Sequence, residues 1–243
     1  MEDLLFYNEL APFYDKIYHY VDYENQARYF AKLMKEYGTT ENVEVLDVCC
    51  GTGTHSYFLN RMGLNVTGLD LSSEMLKIAR AKNPDLNFVQ ADMRNFRLDK
   101  KFDAILCCFN AILYNKNRNE LTAFLQNANR HLAQGGLLIF DSVDKRIGKR
   151  PNKKTYAYQE HGLKAVFEPE WVLNEKKGIL DLFIRFSING KTHKDYHPMG
   201  AFSLKELETL LSQNGFEVFR FSSRFDNPQT EEALFVGRKT KEA

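Results

Sequence analysis

The sequence predicts an α/β fold: a doubly wound, mainly parallel seven-stranded sheet with an antiparallel β insertion before the last helix. Three observations carry this reading. Short apolar strands alternate with helical periodicities from Val43 to Asp141, the order that builds a parallel sheet covered by helices on both faces. The largely apolar run from Phe102 to Phe109 suits a central strand buried on both sides. Between Thr155 and Met199, strand-like stretches such as LKAVFEPEWVL and GILDLFIRFSI follow one another without a helical period.

In chain order, Ala27, Tyr29, Phe30, Leu33, Met34 and Tyr37 recur at helical spacing, and Gly38 follows as a C-cap. Val43 to Val48 reads as the first strand, Gly51-Thr52-Gly53 as a turn and His55 to Met62 as a helix closed by Gly63. Asn65 to Leu69 is a second strand, and Ser72 caps a helix running through Arg80 with Glu74 in its first turn. Leu86 to Gln90 and Phe102 to Phe109 are the next strands. A helix then presents Leu121, Phe124, Leu125, Ala128 and Leu132 on one face, before Gly135-Gly136 turns the chain into a strand from Leu137 to Asp141.

The run DKRIGKRPNKK, Asp144 to Lys154, reads as a solvated connecting loop. In the insertion, Asn189-Gly190 marks a hairpin. Ser203 with Glu206 forms a capping box for a helix reaching Gln213, and Phe216 to Phe221 and Ala233 to Arg238 supply the closing strands. The division expected is a core of residues 1–143 and 201–243, with residues 144–200 inserted over the ligand edge of the sheet.

With 33 basic and 32 acidic side chains, no global field draws this chain to nucleic acid or to an anionic membrane. The opening MEDLLFYNELAPFYD has no apolar segment of signal type, and no run of about eighteen apolar residues occurs. The pairs Cys49-Cys50 and Cys107-Cys108 are not spaced as a disulfide framework and read as free buried thiols. A cytoplasmic protein without a metal site is expected, monomeric or homodimeric.

The chemistry concentrates in VEVLDVCCGTGT, where Asp47 ends a strand and two glycines open a helix. Glycine lets a ligand approach the backbone, and a helix N-terminus offers unpaired N–H groups. Asp70, at the end of VTGLD, lies where a carboxylate can accept from both hydroxyls of a ribose. Together they suggest an adenosine cofactor. Ser56 stands where the dinucleotide fingerprint needs its third glycine, which argues against a pyrophosphate. An NAD-dependent oxidoreductase is therefore the weaker alternative, beside a non-catalytic cofactor-binding module on the same fold.

The segments DVCCGTG, VTGLDLS, QADMRNF and FDAIL, in this order and spacing, resemble class I S-adenosylmethionine methyltransferases, which are Rossmann-like. More narrowly, YNELAPFYDKIY and the insertion before SLKEL resemble the small-molecule branch that includes amino-sugar N-methyltransferases. The resemblance implies S-adenosyl-L-methionine as cofactor, with Asp47, Gly51 and Gly53 around its methionyl part, Asp70 on its ribose, Asp92 at the adenine amino group and Met93 against the ring. Cys49, which stands where the family usually has glycine or alanine, completes the cofactor wall with Leu71 and Phe109. Methyl transfer to nitrogen or oxygen of a small molecule needs a group to take the acceptor's proton, and Tyr14 and His197 are the candidates. Tyr7 and Tyr18 could close with Tyr14 over the cofactor, Asn110 could border the transferable methyl, and Trp171 could line the acceptor pocket.

Overall fold

The computed structural model describes residues 4–38, 43–160, 162–221 and 232–241. Strands β1 (Glu44–Val48), β2 (Asn65–Asp70), β3 (Asn87–Gln90), β4 (Phe102–Cys107) and β5 (Leu132–Val143) pair in parallel. An antiparallel meander follows, made of β6 (Tyr156–Glu160), β7 (Leu163–Asn174), β8 (Ile179–Ile188) and β9 (Lys191–Gly200). Then come β10 (Phe216–Phe221) and β11 (Glu232–Lys239), and β11 wedges antiparallel between β10 and β5. The seven-stranded order is β10-β11-β5-β4-β1-β2-β3, the doubly wound arrangement the sequence implied.

Helix α1 (Tyr14–Ile17) is a single turn; α2 (Tyr23–Tyr37), α3 (Thr54–Arg61), α4 (Ser73–Lys82), α5 (Arg118–His131) and α6 (Leu204–Gln213) are the longer helices. Their starts follow from side chains that satisfy the first free amides. Asp22 accepts from Asn25 N at 3.0 Å, Ser72 from Met75 N at 3.1 Å and Asn117 from Glu120 N at 3.0 Å. Ser203 and Glu206 form the complete capping box.

Alternation along β4 sorts side chains to two cores. Ile105 and Cys107 join the apolar face shared with α5 and α6, whereas Ala104, Leu106 and Cys108 face Phe30, Leu33 and Met34 of α2. A third core lies between the inner face of the meander and the N-terminal segment. There Phe6, fully buried, stacks on Phe186 at 4.7 Å and on Phe167 at 5.7 Å.

Three local readings are corrected. Gly135 and Gly136 lie within β5, which already begins at Leu132. Gly135 has φ +77°, and the register against β4 shifts between Phe102 and Ala104, so glycine serves a bulge rather than a turn. Next, β4 stops at Cys107 because Phe109 and Asn110 turn left-handed, at φ 61° and 59°. Finally, the basic run after Asp144 holds a 3-10 helix, Lys145–Lys149, whose start is capped by Asp144 accepting from Arg146 N at 2.9 Å. The hairpin at Asn189-Gly190 forms as expected, with φ 48° and 83°.

Candidate active site

The carboxyl ends of β1, β2 and β4, where a doubly wound sheet opens a crevice, border a cavity of about 300 Å³. One wall comes from Asp47, Cys49, Gly51, Asp70, Leu71 and Gln90, and the other from Tyr7, Tyr14, Tyr23, Phe109 and Tyr114. Polar backbone and carboxylates thus face a wall of aromatic rings.

After β1 the chain turns through left-handed backbone at Cys49, Gly51 and Gly53, with φ 58°, 54° and 72°. A Cβ built on Gly51 would meet nothing within 4 Å, so this turn borders open space. At Gly53 it would meet the Phe88 ring at 2.9 Å, so Gly53 shapes the turn without lining the cavity.

Asp47 is buried and accepts a hydrogen bond from Ser56 Oγ at 2.6 Å. Burial pushes its carboxyl up to about 7, against the pull of the Ser56 hydroxyl. The residue that breaks the dinucleotide fingerprint is therefore the partner of the first aspartate. Asp70 accepts from Gly51 N at 2.8 Å through one oxygen and from Ser72 N at 2.9 Å through the other. Burial raises its carboxyl despite these amides. A carboxylate has about four lone-pair sites, and with the Leu71 amide also turned to it about one stays open for a hydroxyl. That spare capacity at the cavity wall suits a ribose.

The N-terminal segment closes the other side. Ser72 Oγ donates to Tyr7 O at 2.6 Å, Thr52 Oγ1 to Asp15 Oδ1 at 2.5 Å and Lys82 Nζ to Asp15 Oδ2 at 2.6 Å. Behind the tyrosine wall runs a buried polar chain. Tyr7 and Tyr114 hydroxyls lie 2.7 Å apart, Tyr114 lies 2.7 Å from His197 Nδ1, and His197 Nε2 lies 3.1 Å from Asp195 Oδ2.

Of the residues singled out from sequence, the cavity gathers Asp47, Cys49, Gly51, Asp70, Leu71, Phe109, Tyr7 and Tyr14. Gly53 and Tyr18 do not line it, and five others lie outside its wall. Asp92 turns to Arg94, accepting from its N at 2.9 Å and its Nε at 2.8 Å, and Arg94 also reaches Glu120 at 2.9 Å. Met93 is buried, with Asn115 Nδ2 3.3 Å from its sulfur. His197 is fully buried behind Tyr114. Asn110 is spent on the backbone, its Oδ1 accepting from Val143 N at 2.7 Å. Trp171 packs at the edge of the main core instead of the cavity. The cysteines divide: Cys107 and Cys108 are buried as expected, but Cys49 and Cys50 are half-buried in the cavity wall, and no disulfide joins any of the four. Sequence reasoning missed Tyr23 and Tyr114, which belong to no motif and reach the cavity only through the fold, and Gln90, which opens the QADMRNF segment two residues before Asp92.

The architecture matches solved structures. An S-adenosylmethionine-dependent methyltransferase from Clostridium acetobutylicum superposes with a TM-score of 0.81 over 97% of this chain and 99% of that one, at 22% identity, a likeness of fold. Residues 45–136 match the family model described as a methyltransferase domain. The chain is an S-adenosylmethionine-dependent methyltransferase. Among relatives of this methyltransferase, a Bacillus subtilis protein named putative methyltransferase YqeM is 28% identical over 98% of both chains. A dTDP-3-amino-3,4,6-trideoxy-α-D-glucopyranose N,N-dimethyltransferase from Streptomyces venezuelae is 40% identical over 121 residues, 49% of this methyltransferase and 50% of that enzyme. Among the described residues of the methyltransferase, no helix is long and apolar enough to cross a membrane.

Proposed function

We propose that the chain transfers a methyl group to a nitrogen or oxygen of a small-molecule acceptor by in-line displacement. The observation that carries this reading is the single cavity in which the carboxylates of Asp47 and Asp70 face the hydroxyl-bearing rings of Tyr7, Tyr14 and Tyr114. S-adenosylmethionine held there would supply an electrophilic methyl on a sulfonium. Asp47, Cys49, Gly51, Asp70, Leu71 and Phe109 would hold it, with Gly53 setting the turn and Asp92 and Met93 supporting the segment behind.

The chain's own contribution is placement, since holding two reactants in line removes much of a barrier. The aromatic wall excludes water and orients the acceptor. Of the two groups proposed to take its proton, Tyr14 lines the cavity, and His197 reaches it through Tyr114 and Tyr7. The near balance of charge and the amino-sugar substrate named for the Streptomyces relative support a small acceptor, an amino sugar first among them, over nucleic acid or membrane. Four cysteines with no disulfide among them suit a reducing compartment, so a cytoplasmic monomer or homodimer belongs to the same proposal.

The test is transfer of labelled methyl across a panel of dTDP-amino sugars and other small amines and alcohols. The expected outcome is a labelled product from at least one, and a loss of S-adenosylhomocysteine affinity of about 10- to 100-fold in Asp70→Ala, since hydrogen bonds to a charged group contribute roughly 1.5–3 kcal/mol. Undiminished affinity in that variant would remove the basis of the reading.

A further inference from the structure

The buried chain behind the tyrosine wall has a direction, and the direction gives it a task. On β9 the period of two puts Asp195 and His197 on the inner face, toward Phe6, while Tyr196 faces outward and donates to Asp181 at 2.8 Å. Asp195 Oδ2 also accepts from Phe6 N at 2.7 Å, so the carboxylate that touches His197 fixes the residue before Tyr7. Burial works to raise the Asp195 carboxyl, but His197 and the Phe6 amide outweigh it and hold it below the usual carboxylate range.

An ionised carboxylate only accepts. With Oδ2 at 3.1 Å, although off the straight hydrogen-bond line, His197 Nε2 carries its hydrogen rather than a lone pair. In the neutral ring Nδ1 is then the acceptor, so Tyr114 donates to it. Tyr114 in turn accepts from Tyr7. Each hydroxyl is used as a donor inward, which leaves the Tyr7 oxygen presenting a lone pair to the cavity.

We propose that Tyr7 takes the proton of the methyl acceptor and that Tyr114 and His197 carry the charge inward to Asp195. This rests on the reading of the cavity as the methyl-acceptor site. An amine that gains a methyl group becomes an ammonium, and a hydroxyl becomes an oxonium. The N–H or O–H bond of that product breaks as a new O–H bond forms on Tyr7. Tyr7 passes its own proton to Tyr114, and Tyr114 passes its own to His197 Nδ1. Both tyrosines end neutral, the imidazolium lies beside the Asp195 carboxylate, and the proton returns along the same path once product has left. Tyr7, at the cavity wall, is the catalytic residue; Tyr114, His197 and Asp195 position and relay.

Two measurements test this. In protein labelled with 15N-histidine, the ring resonances of His197, assigned by their loss in His197→Gln, are expected to show the tautomer protonated at Nε2, with the Nδ1 resonance displaced in Tyr114→Phe. Protonation at Nδ1 in the neutral ring, or an Nδ1 resonance indifferent to Tyr114→Phe, overturns the relay without any acceptor being needed. In the methyl-transfer assay, Tyr7→Phe and Tyr114→Phe are expected to lower kcat by about 10²-fold, with KM and S-adenosylhomocysteine affinity within about threefold of the unaltered chain. A loss confined to KM, or an unchanged kcat, overturns the relay while methyl transfer stands. Absence of transfer by the unaltered chain to every acceptor overturns the functional reading and the relay together.

Discussion

Asp47 shows how burial sets the behaviour of one carboxyl. Its folded value, about 7, lies above the roughly 3.9 of an exposed aspartate, so the fold favours the protonated form. That contribution to stability is complete below about pH 4 and is lost as pH rises through about 7. A cationic ligand group at the same wall has the opposite preference, because it draws the carboxyl toward its ionised form. Affinity for S-adenosylmethionine is therefore expected to weaken by about tenfold per pH unit below pH ~7, as calorimetry would read. Asp47→Asn should flatten the profile, and a flat profile in the unaltered chain would refute the assignment. At Cys49 the left-handed φ of 58° accounts for the glycine expected there: the turn keeps its shape and a thiol bears the strain.

Among the elements, the N-terminal segment depends most on its neighbours, since its turns are too short to hold themselves. Phe6 anchors it in the meander, and Asp15 ties it to Thr52 and Lys82 beside the cavity. Phe6→Ala is expected to cost about 3–5 kcal/mol, read as a lower midpoint in denaturant, and to weaken methyl transfer because Tyr7 follows Phe6 in the chain. Helix starts were legible in sequence because the cap is local: Ser72 and Ser203 sit next to the amides they satisfy. The bulge at Gly135 was not, because its cause lies across the sheet, where β5 must meet β4.

For the molecule as a whole, alternation and hairpin signals sufficed to read both sheets, since burial on two faces or one leaves its period in the side chains. The glycine-aspartate wall was equally legible, with Asp47, Gly51 and Asp70 adjacent to strand ends that topology brings together. The tyrosine wall was legible only in part. Tyr14 and His197 stood out as residue types, but the connection of His197 to the cavity through Tyr114 depends on how β9 packs on the loop after β4. Asp92 illustrates the converse, because an arginine two residues on claims its carboxylate, a competition that motif order does not reveal.

The wedge strand β11 pairs with β5 about 90 residues before it, Glu232 opposite Val143. Between them the chain must complete a whole second sheet and a helix. Loops of this length close at a large cost in chain entropy before any pairing rewards them. Refolding is thus expected to take milliseconds to seconds, and a stopped-flow fluorescence trace finished in microseconds would contradict that. On the ribosome, the half-built sheet keeps an unpaired edge at β5 until the wedge emerges, which makes that edge the point where nascent chains would most readily aggregate.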